Sequence, residues 1–171
     1  MTELLPAPST PFPPMIGDAV RDAAADFFKS TCGLKYQEQP DGAEESSSGI
    51  MSTISFLGES PWAFSLVLPD QTAIAMARAF AGFEIPIDSP DMGDVIGEVV
   101  NVIAGGICAR LDAKGIKVQM SLPTVVRGDN VAVLVPSGAS TKRMGFTGPN
   151  GPCWFRLVKA RSFGAPRQAG G

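Results

Sequence analysis

The chain has 171 residues, which is enough for one domain of ordinary size and too few for a multidomain enzyme. Hydrophobic residues make up 44% of it and charged residues 18%, a composition typical of a folded protein and not of a disordered one. The net charge is −3 and the 14 basic side chains are scattered, which argues against a nucleic-acid partner because phosphate contacts need clustered Lys and Arg.

The complete absence of histidine excludes the most common catalytic arrangements. Ser-His-Asp and Cys-His nucleophile systems and His-ligated zinc cannot form, whatever the fold. The three cysteines, Cys32, Cys108 and Cys153, are far apart and include no C-x-x-C pair, so we expect idle thiols in a reducing compartment and no metal site.

No stretch approaches about 18 uninterrupted apolar residues, and the N-terminus has no basic region followed by an apolar run. We therefore expect no membrane association and a cytoplasmic location.

The two ends of the chain have compositions that disfavour regular structure. Five prolines within the first fourteen residues predict an extended, disordered arm over residues 1–14. The Gly-rich residues 164–171 predict a disordered tail, which leaves a single folded domain over residues 15–163.

Elements of the first half follow from hydrophobic spacing. A first helix is predicted from Gly17 to Thr31, ended by Gly33, with a buried face formed by Val20, Ala24, Phe27 and Thr31. Residues 37–49 are polar and rich in Gly and Ser, which predicts a mobile linker.

An antiparallel hairpin is predicted next, from strands over residues 50–57 and 62–68 with Gly58 at the turn. Asp70 is then expected to cap a helix that ends at Gly82.

A longer helix is predicted from the capping pair Ser89-Pro90 to about Ala113, with Gly115 ending it. The rest of the chain is predicted to form strands, which lie in VQMSL, TVVRG, VAVLVP, KRMGF and CWFRLVKA, with a turn at TGPNGP. This order predicts an α+β domain with helices packed on one face of a largely antiparallel sheet.

The longer helix carries the candidate site. At helical spacing its core face is predicted to consist of Met92, Val95, Ile96, Val99, Val102, Ile103 and Ile107. Glu98 and Asn101 project side by side on the opposite face, with Asp94, Gly105 and Asp112.

Three glycines within this helix, Gly97, Gly105 and Gly106, each cost about 1 kcal/mol relative to alanine, and close approach of a partner is one explanation. A carboxylate beside a carboxamide could serve a hydrolysis in which the amide orients water, although Glu-x-x-Asn on its own also fits an ordinary solvated helix face.

The segment VIGEVVNVIAGGICARLDAKG, together with SLPTVVRG, resembles the chemotaxis phosphatase family of CheC, CheX and FliY, in its CheX-like branch. The resemblance implies that Glu98 and Asn101 insert into the active site of a phosphorylated CheY-like response regulator. Asn101 would position the attacking water, and Glu98 would pair with a lysine of the regulator. Asp94, Gly97 and Gly105 would contact this partner.

The resemblance implies no cofactor in this chain, because the regulator supplies Mg²⁺. It also implies a homodimer, and one site per chain, because residues 17–33 lack the second Glu-x-x-Asn of CheC-type proteins. Two alternatives stay open: a non-catalytic module of the same fold that binds a receiver or flagellar component, and a resemblance confined to the fold.

Overall fold

The computed structural model describes residues 11–40, 48–131 and 133–160. Three helices pack against a seven-stranded sheet in which every pairing is antiparallel, so the predicted α+β class is confirmed. The helices are α1 (Pro14–Asp26), α2 (Asp70–Ala81) and α3 (Pro90–Asp112). The strands are β1 (Gln37–Glu38), β2 (Gly49–Leu57), β3 (Trp62–Leu68), β4 (Gln119–Met120), β5 (Thr124–Gly128), β6 (Ser140–Gly148) and β7 (Gly151–Lys159).

The strand order is β1-β6-β7-β3-β2-β4, and β5 also pairs with β2, next to β4. β2 and β3 form the predicted hairpin, in which Ile50 lies opposite Leu68 and Phe56 opposite Trp62. β6 and β7 form a second hairpin around the predicted turn. β3 is therefore central, while β4 and β5 form one edge of the sheet.

The core lies between the inner face of the sheet and α3. Phe64 of β3 stacks on Phe155 of β7 with ring centroids 5.4 Å apart, and both rings are fully buried. From α3 the core receives Met92, Ile96, Val99, Val100, Ile103, Ala104, Ile107 and Leu111. Among the described residues, α3 alone is long and apolar enough to cross a membrane, and its buried stripe is that of a central core helix.

The N-terminal boundary differs from the expectation. Phe12 is 8% exposed and packs edge-on against Trp62, with ring centroids 6.2 Å apart, and Pro14 is the first residue of α1. Residues 12–14 therefore belong to the packed domain, because proline is compatible with the first turn of a helix. Residues 1–10 and the tail 164–171 lie outside the described residues.

The first helix also ends differently. Phe27–Thr31 form a π-helical turn, in which the amide of Cys32 donates to the carbonyl of Phe27 over 3.2 Å. This wider turn buries Phe28 and exposes Thr31, which a regular helical period places on the core face. Gly33 follows with φ of 65°, the left-handed conformation expected where the helix ends.

Two predictions made from composition are wrong. Gln37–Glu38 of the predicted linker pair with β6 as a short strand, anchored by an ion pair of 2.5 Å between Arg21 and Glu38. The apolar run VAVLVP forms no strand at its described positions, residue 131 and residues 133–136, and Leu134 there is 91% exposed. Its β-branched residues satisfy the local preference of a strand but gain no partner in the sheet.

The predicted cap of α2 is also wrong. Pro69 occupies the N-cap position, and Asp70 is the first helical residue without a side-chain hydrogen bond to the helix backbone. Its carboxylate accepts hydrogen bonds from Arg127 of β5 instead. The expected end of the helix at Gly82 is confirmed by the left-handed conformation there, with φ of 85°.

Candidate functional site

The site helix α3 begins and ends where its capping residues predict. The hydroxyl of Ser89 accepts a hydrogen bond of 3.0 Å from the amide of Asp91, and Pro90 is the first helical residue. The helix ends at Asp112, and Gly115 follows with φ of 80°. Both predicted ends of the helix are therefore confirmed.

Glu98 and Asn101 lie side by side on the outward face of α3. Glu98 is exposed and Asn101 is half-buried, and the Asn101 amide nitrogen donates to a Glu98 carboxylate oxygen over 3.4 Å. Val102 shares this outward face and is 39% exposed, so its assignment to the core is wrong. Val102 follows Glu98 by one helical turn, which places the two side chains on the same side of the helix.

The pair opens into a shallow depression of about 330 Å³ between α3 and β5. Its lining residues are Gly93, Asp94, Gly97, Glu98, Asn101, Pro123 and Val125. Of the sequence-predicted site residues, only Gly105 does not line it. Pro123 and Val125 were not predicted as site residues, and the single sequence signal for them was the segment SLPTVVRG that accompanied the helix motif.

The glycines of α3 have three different surroundings. A Cβ at Gly97 would lie 3.5 Å from a side-chain carbon of Pro123 and 3.6 Å from one of Val125, so the surface that approaches Gly97 is β5 of the same chain together with the residue before it. A Cβ at Gly106 would lie 3.3 Å from the Cβ of Ala23 on α1. A Cβ at Gly105 would meet no described atom within 4 Å, so Gly105 alone of the three is open to a partner.

An ion-pair junction ties β5 to the starts of both α2 and α3. Arg127 of β5 donates to Asp70 and to Asp88, each over 2.7 Å. Asp88 immediately precedes the cap of α3. The hydrogen bond to Asp70 raises the pKa of the Arg127 guanidinium, which stays charged at all accessible pH.

The chemistry open to this depression is narrow. Among residues 11–40, 48–131 and 133–160, no group of three or more Cys, Asp or Glu side chains could hold a metal ion. Burial raises the pKa of Cys32 to about 11 and also raises that of Cys153, so these thiols stay protonated and unreactive at neutral pH. Glu98 can pair with a cation, and Asn101 can orient water but cannot accept a proton.

Comparison with known families identifies the chain. A family model described as "Chemotaxis phosphatase CheX" matches residues 50–147, which include α3 and the whole depression. The chain belongs to the CheX family. No curated protein sequence gives a significant match to this CheX-family chain.

Solved structures share its fold. The chemotaxis protein CheX from Vibrio vulnificus superposes with a TM-score of 0.75 and 18% identity, over 85% of this chain and 96% of that one. CheX from Desulfovibrio desulfuricans gives 0.74 and 20%, over 85% and 99%. CheX from Borrelia burgdorferi, solved in a complex with CheY, BeF₃ and Mg²⁺, gives 0.67 and 19%, over 86% and 96%.

Proposed function

We propose that this CheX-family protein is a phosphatase that hydrolyses the aspartyl phosphate of a CheY-like response regulator, in chemotaxis or related two-component signalling. The observation that carries the proposal is the pair of Glu98 and Asn101, adjacent on the outward face of α3 and lining an open depression. The family to which the chain belongs, and the complex of Borrelia CheX with CheY, support the choice of partner.

Asn101 would act by positioning a water molecule. An aspartyl phosphate is already activated, so its hydrolysis needs a water aligned for in-line attack through a loose transition state. The amide of Asn101 can hold such a water while its neighbour Glu98 pairs with a lysine of the regulator. This mechanism requires no histidine and no metal in the phosphatase, because Mg²⁺ bound by the regulator would neutralise the phosphoryl oxygens.

We further propose that the protein acts in the cytoplasm, where response regulators lie, and that it forms a homodimer with one site in each chain. Sedimentation velocity at tens of micromolar tests the oligomeric state: a single species of monomer mass would refute the homodimer.

The proposed activity is tested by phosphate release from a panel of receiver domains of the same organism, phosphorylated with acetyl phosphate. We expect one receiver to lose its phosphate faster in the presence of this protein. Acceleration of none of them would refute the phosphatase. Binding of a beryllium-fluoride-activated receiver without acceleration would establish the alternative, a non-catalytic receiver-binding module.

A further inference from the structure

The connection between β4 and β5 presents an apolar side chain beside the proposed site. Leu122 is 87% exposed, and the next residue, Pro123, lines the depression. Val102 of α3, one helical turn after Glu98, is 39% exposed. We define these three residues, Leu122, Pro123 and Val102, as the apolar rim.

The exposure of Leu122 is imposed by a fixed backbone. The amide of Ser121 donates to the carbonyl of Ser55 over 2.9 Å, and the hydroxyl of Ser121 accepts from the amide of Ser55 over 3.0 Å. The same hydroxyl donates to the carbonyl of Leu122 over 2.9 Å. Pro123 further restricts the conformation of Leu122, which precedes it. Leu122 is thus held outward at a defined point.

The sheet edge is irregular at this point. β4 ends at Met120 and β5 begins at Thr124, so three residues separate them, whereas the paired positions of β2 are separated by two. One extra residue in an edge strand is a β-bulge, which redirects side chains and interrupts the ladder. Pro123 also lacks the amide hydrogen that an added strand would need. This part of the edge is therefore poorly suited to pair with a second copy of the chain.

Charge gives the depression little attraction for its proposed partner. Its charged lining residues are Asp94 and Glu98, and the lining contains no Lys or Arg. Glu98 has a proposed partner in the lysine of the receiver, but the lining offers no cation to the phosphoryl group and Asp94 has no proposed partner. Affinity beyond the Glu98–lysine pair must then come from apolar contact at the margin of the site, where water is excluded.

We propose that the apolar rim docks on an apolar patch of the receiver domain beside its phosphorylation site, and that it adds binding affinity to the proposed Glu98–lysine pair while Asn101 positions the attacking water. This inference rests on the proposed function, since it names the docking surface of the same site. The rim makes the same contact before and during hydrolysis, so its loss affects binding and leaves the chemical step intact.

The test compares Leu122→Ser with Leu134→Ser, a matched control because Leu134 is 91% exposed in the segment between β5 and β6. The receiver that wild type dephosphorylates fastest is used for KM and kcat, and its beryllium-fluoride complex for Kd. We expect Leu122→Ser to raise KM and Kd about tenfold with kcat unchanged, and Leu134→Ser to change none of them.

If Leu122→Ser has the same KM and Kd as wild type, the proposed docking by the rim is refuted, while the proposed phosphatase activity is unaffected. Loss of self-association in Leu122→Ser with unchanged receiver binding would assign the rim to a contact between copies, and would also overturn the proposal. If the wild-type protein neither binds nor dephosphorylates any receiver, the proposed function itself is refuted. This outcome is measured before any variant is made, so it is distinguishable from failure of the rim.

Discussion

Gly106 of α3 contacts Ala23 of α1 so closely that a Cβ at position 106 would lie 3.3 Å from the Cβ of Ala23. The neighbouring Gly105 faces open space. The two adjacent glycines therefore serve different purposes: one permits close packing of two helices, and the other leaves the outward face of α3 clear.

Gly105→Ala should raise the free energy of unfolding by about 0.5–1 kcal/mol, because alanine favours the helix and its methyl group meets nothing. Gly106→Ala should show no such gain, since α1 must move by a few tenths of an ångström to accept the methyl group. Urea denaturation of both variants checks the difference. Equal stabilisation by the two substitutions would show that the helix contact is not tight.

Asn101→Ala should lower kcat for dephosphorylation of a receiver about 100-fold, which corresponds to about 2.7 kcal/mol. The side chain projects outward and is half-buried, so its removal opens no core cavity and the melting temperature should be unchanged. Phosphate release and thermal melting are measured together. If the variant folds normally and retains the wild-type kcat, the proposed role of Asn101 in positioning water is refuted.

Glu98→Ala should raise KM for the phosphorylated receiver, because the proposed pairing with a lysine forms only in the complex, where partial desolvation strengthens it. Asp91→Asn is the control: Asp91 is exposed one turn earlier than Asp94, and it does not line the depression. Steady-state kinetics over a range of receiver concentrations separate KM from kcat. Identical curves for Glu98→Ala and wild type would leave Glu98 as an ordinary surface residue.

Phe12→Ala should lower the free energy of unfolding by about 2–4 kcal/mol, since it removes a buried ring that packs on Trp62. Deletion of residues 1–10, which keeps Phe12, should shift the melting temperature by less than about 4 °C. Calorimetry of the two proteins makes the comparison. A large destabilisation by the deletion would show that residues 1–10 contribute to the folded domain.

The protein should lose stability above pH 9. Burial raises the pKa of Cys153, whereas an exposed thiol of the unfolded chain ionises near the ordinary pKa of 9.0. Above that pH the unfolded state releases a proton that the folded state keeps, so the free energy of unfolding falls as the pH rises. Below pH 9 the thiol is protonated in both states, and its ionisation does not change the free energy of unfolding. Urea denaturation from about pH 8 to about pH 10.5 should give a shallower decline for Cys153→Ala than for wild type. An unchanged slope would assign the decline to other groups.

The parts of the fold that sequence predicted well are those with two independent local signals. α3 had a periodic apolar stripe together with Ser89, Pro90 and Gly115 at its ends, and the β2–β3 hairpin combined alternation with a turn glycine. The predictions that were wrong are those that rested on a single sequence feature. The apolar run at residues 131–136 had composition without a pairing partner, and Phe12 lay within a proline-rich segment whose composition concealed a single buried ring.

The candidate site shows the same limit. The adjacency of Glu98 and Asn101 follows from their spacing on one helix, so it could be predicted. The second wall, formed by Pro123 and Val125, depends on which strand the sheet places against Gly97, and no local pattern carries that information. Val102 was misplaced because the apolar stripe of α3 is broad, and only packing against the sheet shows where its margin lies.

The junction at Arg127 has a consequence for the rate at which a partner can bind. Arg127 belongs to the strand that supplies Val125 to the depression, and it holds Asp88 just before the helix that supplies Glu98. The strand is thus linked by an ion pair to the start of the helix, and further along Val125 of the strand packs against Gly97 of the helix. Because the two walls are linked at both points, the proposed receiver partner would meet a preformed surface, and we expect its association to be limited by diffusion and orientation and not by rearrangement of this protein.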